Sequence, residues 1–216
     1  LIFSPHPDDD VIGLGGTMQK FNTNNVKVVY MSPGTGGYDK TVYDHNPRFN
    51  EALLSLKTLG YNKNNIEFMK LPFYTNKVPI SENDYHKVTE LVTKFKPDHI
   101  FVCDDIDPNK THLKCYEIIK NSLHNIQLDP LIWLYKSAWG NWDEDIPNCI
   151  SYLGEILYNN KKISIKMHDS QDPPLVNYGD NMAFYDKIVD NNTCDQYYGQ
   201  YIEKFEVINK QEFLHR

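Results

Sequence analysis

The chain has 216 residues, enough for one sizeable domain with its own core, and 40% of them are hydrophobic. Its formal net charge is −7 and only Arg48 and Arg216 are arginines, which excludes a role driven by nucleic-acid phosphates. No apolar stretch reaches the ~20 residues that a membrane-spanning helix needs, and no secretory-signal pattern is visible. The four cysteines (Cys103, Cys115, Cys149 and Cys194) are widely spaced, with no CxxC pair, so free thiols in the cytoplasm are expected. The chain starts mid-pattern without Met, so the expectation is one domain, 1–216, that is part of a longer polypeptide.

Taken in order, Leu1–Ser4 reads as a buried strand and Val11–Phe21 as a helix, followed by a strand at Val26–Met31. A polar loop covers Ser32 to Asn46. Arg48–Leu59 reads as a helix ending at Gly60, Ile66–Leu71 as a strand, and Glu82–Phe95 as a helix stopped by Pro97. His99–Cys103 is the next strand, Thr111–Leu123 a helix, and Leu131–Tyr135 a strand. Beyond them, Asn181–Asp190 and Cys194–Phe205 read as helices, and Glu155–His168 as a helix or, from the alternating Ile163 and Ile165, a strand. Strands alternating with helices predict an α/β fold: a Rossmann-like, mostly parallel sheet flanked by helices in a three-layer sandwich.

In open α/β sheets, ligands bind beyond the carboxyl ends of the strands. Three polar clusters fall at such ends: His6–Asp10, Asp104–His112 and Ser137–Trp142. His6 and Asp9 stand three apart across a turn, and an imidazole nitrogen with a carboxylate oxygen suits Zn²⁺. His112, opening a helix after a neighbouring strand, can complete the set, and Asp8 would then point toward the attacking water as general base. An aspartate run before a helix equally suits capping and the helix dipole. The Gly13, Gly15 and Gly16 run does not match G-x-G-x-x-G and fits close helix–sheet packing better.

The stretch His6-Pro7-Asp8-Asp9, followed by V-I-G-L-G-G-T, resembles the first motif of the PIG-L/LmbE-like family of zinc-dependent N-acetylglucosaminyl deacetylases. Arg48-Phe49-Asn50-Glu51 fits that family's RxxE helix, Asp107-Pro108-Asn109-Lys110-Thr111-His112 its third motif, and His168-Asp169-Ser170-Gln171 its late HxSQ element. The resemblance covers residues 1–171. The WLYKSAW segment and the DPxxTH motif look closest to a branch fused to glucosamine-6-phosphate deaminase domains.

The resemblance implies that His6, Asp9 and His112 bind Zn²⁺ and that Asp8 is the base in hydrolysis of an N-acetylated amino sugar. It implies sugar contacts from Arg48 and Trp139, and support for the metal site from Asp10, His168 and Gln171. The chain departs from the family where many members carry a His, at Asn109. An amide there can donate a hydrogen bond to an oxyanion but cannot supply a proton near neutral pH. Two alternatives follow: a catalytically weakened sugar-binding or regulatory domain of the same fold, and a two-metal phosphoesterase suggested by the aspartates. The expected partners are a small-molecule amino sugar and a covalently fused domain. Nucleic acid and membrane are not expected, and the oligomeric state is not legible.

Overall fold

The computed structural model describes residues 1–34, 46–72, 74, 77–138, 142–143, 146–171 and 201–216. Their strands are β1 (Ile2–Ser4), β2 (Val28–Tyr30), β3 (Ile66–Phe68), β4 (His99–Cys103), β5 (Leu131–Tyr135), β6 (Cys149–Leu153) and β7 (Tyr201–Ile208). The α-helices are α1 (Asp9–Met18), α2 (Pro47–Thr58), α3 (Glu82–Phe95), α4 (Lys110–His124), α5 (Glu155–Lys166) and α6 (Lys210–His215).

The strands form one sheet in the order β3-β2-β1-β4-β5-β7-β6. Neighbours from β3 to β5 are parallel, whereas β7 runs antiparallel to both β5 and β6. Alternate side chains of each strand leave opposite faces. Ile2, Val28, Tyr30 and Phe101 therefore join α1, α2 and α5 in one core, while Phe3, Val29, Ile100 and Val102 join α3, α4 and α6 in another. The expected three-layer α/β sandwich is what forms.

Local chemistry sets the element ends. Asn46, Asn109 and Asn209 cap α2, α4 and α6 with their side-chain oxygens, and Pro47 opens α2 where its missing N–H costs nothing. α3 starts on a capping box between Ser81 and Asp84 and ends at Lys96 in the left-handed region, directly before Pro97. Helix α1 presses close to the sheet. A Cβ on Gly13 would lie 2.2 Å from the Tyr135 ring, and one on Gly16 2.3 Å from Leu153. The packing explanation of these glycines therefore holds.

Two corrections concern the second half of the chain. The helix expected over Cys194–Phe205 is instead a strand where the structure describes it, from Tyr201 onward. Strand β6 was not expected at all. Glu203 shows why β7 is a strand: α1 breaks at Leu14 (φ −145°, ψ 19°), and the Glu203 carboxylate accepts the freed N–H groups of Gly16 and Thr17 at 2.8 and 2.7 Å. The Lys161 ammonium of α5 lies 2.8 Å from the same carboxylate, and both side chains are buried. The helix expected over Asn181–Asp190 lies outside the described residues.

Candidate metal and catalytic site

The chain leaves β1 toward β2 and β3, then returns to β4 on the other side of β1. The connections after β1 and β4 therefore diverge, and a crevice opens between their carboxyl ends. The first connection carries His6 to Asp10 and the second carries Asp104 to His112. Two segments about a hundred residues apart thus meet at one point.

At that point His6 Nδ1, Asp9 Oδ2 and His112 Nε2 face one another. The two ring nitrogens are 2.9 Å apart, and Asp9 Oδ2 lies 3.3 Å from His6 and 3.1 Å from His112. Tetrahedral zinc with bonds of about 2.0–2.1 Å spaces its ligand atoms about 3.3 Å apart, so the triangle fits that ion's donor set. All three residues are buried. The His6 backbone N–H also donates to Asp9 Oδ2 at 2.9 Å, which fixes the turn between them.

The far side of His112 is equally ordered. Its Nδ1 lies 2.9 Å from Asp107 Oδ2, a contact that in the neutral ring puts the proton on Nδ1 and turns the Nε2 lone pair to the triangle. Asp107 is held by the Ser137 hydroxyl at 2.5 Å and by the Asn109 backbone N–H at 2.8 Å. The Cys103 thiol approaches it at 3.6 Å, and burial pushes that thiol's pKa up to about 11. Burial would raise the pKa of Asp107, but His112 and Ser137 outweigh it and hold the carboxyl below its ordinary value.

The three adjacent aspartates have three different environments. Burial would raise the pKa of Asp9 too, but His112 and His6 hold it far below the usual carboxylate range. Asp10 accepts from Ser4 Oγ at 3.2 Å and from the Tyr30 hydroxyl at 2.9 Å, and burial pushes its pKa up to about 7. Ser4 Oγ also lies 2.6 Å from the His6 carbonyl, so Asp10 braces the turn from behind. Asp8 is the N-cap residue of α1 but makes no side-chain cap bond, so capping does not explain it. Its Oδ1 instead pairs with Arg48 Nη2 at 2.8 Å.

Arg48 therefore pairs with Asp8, not with Glu51 on its own helix. Its Nη1 donates to the Gly34 carbonyl at 2.6 Å. Gly34 has φ +69°, and a Cβ there would lie 2.1 Å from Arg48 Nη1, so only glycine lets the guanidinium pass. Glu51 is used elsewhere, accepting the Ser170 N–H and hydroxyl at 2.7 and 2.6 Å. This clamps the 3₁₀ turn Asp169–Gln171, whose Gln171 amide donates to Ser170. His168, just before that turn, is buried. Asn109 sits near the triangle as the cap of α4, its side-chain oxygen accepting the Thr111 N–H at 2.9 Å. Trp139 lies outside the described residues. Trp142 donates its indole N–H to the Lys204 carbonyl and packs against the Lys136 ammonium.

Sequence reasoning assigned no role to Asp107, Ser137, Tyr30 or Glu51. Asp107 alone carried a signal: a carboxylate just ahead of a helix cap, five residues before a ligand candidate.

Comparison with known proteins agrees with this geometry. The family profile described as PIG-L: GlcNAc-PI de-N-acetylase matches residues 1–123, more than half of the chain. A glucosamine-6-phosphate deaminase-like protein of Bacteroides thetaiotaomicron is 30% identical, over 89% of this chain and 39% of that one. The chain spans about two-fifths of the length of the curated relatives it matches. Among solved structures, the N,N'-diacetylchitobiose deacetylase of Pyrococcus horikoshii superposes with a TM-score of 0.70 at 24% identity, covering 98% of this chain and 84% of that one. GalB of Pseudomonas putida, a 4-carboxy-2-hydroxymuconate hydratase, gives 0.73 at 15% identity, covering 96% and 94%. At such identities these likenesses show the fold alone, whereas the matched profile shows kinship: the chain belongs to the PIG-L (GlcNAc-PI de-N-acetylase) family.

Proposed function

We propose that this chain is a zinc-dependent N-deacetylase that hydrolyses the acetamide of an N-acetylated amino sugar, an N-acetylglucosamine derivative, to acetate and the free amine. The observation that carries the reading is the buried convergence of His6 Nδ1, Asp9 Oδ2 and His112 Nε2 within 3.3 Å of one another, with Asp8 beside Asp9 in the chain. These three residues hold the zinc, and Asp107 keeps His112 in the tautomer that presents Nε2. When bound, the zinc supplies Lewis-acid polarisation of the amide carbonyl.

Asp8 does the proton work. Arg48 fixes its Oδ1, so Oδ2 is the atom that accepts a proton from the attacking water. The water oxygen bonds to the acetyl carbon, the C–N bond breaks, and Asp8 returns the proton to the departing nitrogen. Asn109, with its oxygen committed to the helix cap, retains only its amide N–H₂ as an oxyanion donor. That commitment favours a second reading, in which the domain binds amino sugars with weakened turnover.

The 39% coverage of the deaminase-like relative supports 1–216 as one deacetylase unit within a longer polypeptide. Among the described residues no helix is long and apolar enough to cross a membrane. A cytoplasmic setting is part of the proposal, supported by the free thiols of Cys103, Cys115 and Cys149. The test is amine release by zinc-replete protein from N-acetylglucosamine, its 6-phosphate and diacetylchitobiose. Asp8→Asn is expected to lower the rate about 10²–10⁴-fold while bound zinc stays stoichiometric. No release from any substrate, with sugar binding retained, selects the second reading.

A further inference from the structure

His168 is only 2% exposed, yet neither ring nitrogen has a hydrogen-bond partner among the described residues. A buried polar group without a partner is costly and calls for an explanation. Nearby, the Nε–H of Arg48, itself 4% exposed, is also without a partner among the described residues. The chain brings the two into one neighbourhood: Ser170, two residues after His168, bonds Glu51 on the helix that carries Arg48, and the charges of Asp8, Arg48 and Glu51 act on the His168 ring.

The ring is held there from both sides of the chain. The His168 N–H donates to the Ile165 carbonyl at 3.1 Å, at the end of α5. Two residues later, Ser170 is clamped by Glu51, one turn along α2 from Arg48. The helix that aims Arg48 at Asp8 thus also anchors the segment that presents His168.

Burial lowers the pKa of His168, so near neutral pH the ring offers one N–H donor and one lone pair. Arg48 Nε–H is a donor, and the Asp8 carboxylate is an acceptor. Donor, acceptor and mixed groups in one place match hydroxyls, which both give and take a hydrogen bond. A bare anion could use only the donors, and an apolar group would leave the His168 ring nitrogens and the Arg48 Nε–H unpaired. We propose that His168 and the Nε–H of Arg48 form a subsite beside Asp8 that reads a ring hydroxyl of the substrate. This gives His168 direct contact with the substrate and deepens the amino-sugar reading, on which it rests.

The test compares the zinc-loaded wild type with His168→Ala and His168→Gln. Calorimetry measures binding of glucosamine and of cyclohexylamine, a ring amine without hydroxyls. His168→Ala is expected to weaken glucosamine about 10- to 100-fold and to leave cyclohexylamine within about threefold. His168→Gln, which keeps a donor and an acceptor, recovers part of the loss, and it carries the test if thermal melting shows the Ala variant misfolded. In turnover, the loss appears in KM for N-acetylglucosamine. Equal weakening of both amines, or unchanged glucosamine affinity, overturns the subsite. A wild type that releases no amine sinks the hydrolysis reading, while the two binding curves still decide the subsite.

Discussion

Replacing Asp107 with Asn tests how the metal site is organised without touching a proposed ligand. Asp107 Oδ2 accepts from His112 Nδ1 at 2.9 Å and from Ser137 Oγ at 2.5 Å. An Asn of the same shape still has an oxygen, but no charge to strengthen the His112 bond. Its N–H₂ can also face Nδ1, which would move the imidazole proton to Nε2 and block the lone pair aimed at the triangle. Losing such a partner of a ligating histidine weakens metal binding about 10- to 100-fold, or about 1.4–2.7 kcal/mol. Ser137→Ala is expected to do less, because the Asn109 N–H and His112 still hold the carboxylate. Zinc affinity is read by chelator competition, with circular dichroism of the metal-free proteins as the folding control. A zinc Kd for a folded Asp107→Asn variant within threefold of the wild type would refute the argument.

Three further outcomes are expected. Zinc at about a hundred times its Kd stabilises the fold by about 2.7 kcal/mol, a melting rise of about 5–11 °C for a chain of this size; His112→Ala abolishes the rise. Gly34→Ala puts a Cβ 2.1 Å from Arg48 Nη1 at φ +69°; it costs about 1–2 kcal/mol in urea unfolding and slows amine release, with zinc content unchanged. Glu203→Ala removes an ion-pair partner of buried Lys161 and uncaps Gly16 and Thr17; about 3–5 kcal/mol is lost, seen as a melting drop of about 6–20 °C. Adding Lys161→Met recovers part of it, and failure to recover any would show that the lost N–H caps, not the lost ion pair, set the penalty.

The five parallel strands were legible because each is a short apolar run bounded by turn residues, with a helical pattern between neighbours. Strand β7 was not, for a definite reason. In YIEKFEVI, Ile202, Phe205 and Ile208 recur every three residues and imitate a helix stripe, while the inward-facing Glu203 looks like a solvent residue. The break in α1, with two N–H groups to satisfy, and the buried Lys161 ammonium make a buried glutamate favourable there. The His6, Asp9 and His112 triangle was readable because strand, turn and helix put each residue at one end of the sheet. The partner of Arg48 was not. Helical spacing puts Glu51 on the same face as Arg48, yet its partner is Asp8, reached only because Gly34 leaves room for the guanidinium.

The charges around the triangle account for why two carboxylates can be buried there at all. Asp8 and Arg48 cancel, and Asp10, its pKa pushed up to about 7 by burial, carries only part of a charge near neutral pH. That leaves Asp9 and Asp107, two buried negative charges on either side of one imidazole. Burial opposes a charge on His112, but Asp9, Cys103 and Asp107 outweigh burial and raise its pKa far above the ordinary histidine value. A proton on His112 offsets only one of the two carboxylates, and it occupies the ring on the side that faces His6. A dication taken by neutral His6 and His112 with Asp9, as proposed, would offset both carboxylates. The aspartate run that opens the chain is therefore not one acidic patch. On the proposed function it is a brace, a ligand and a base, and Tyr30, His112 and Arg48 hold them in separate environments.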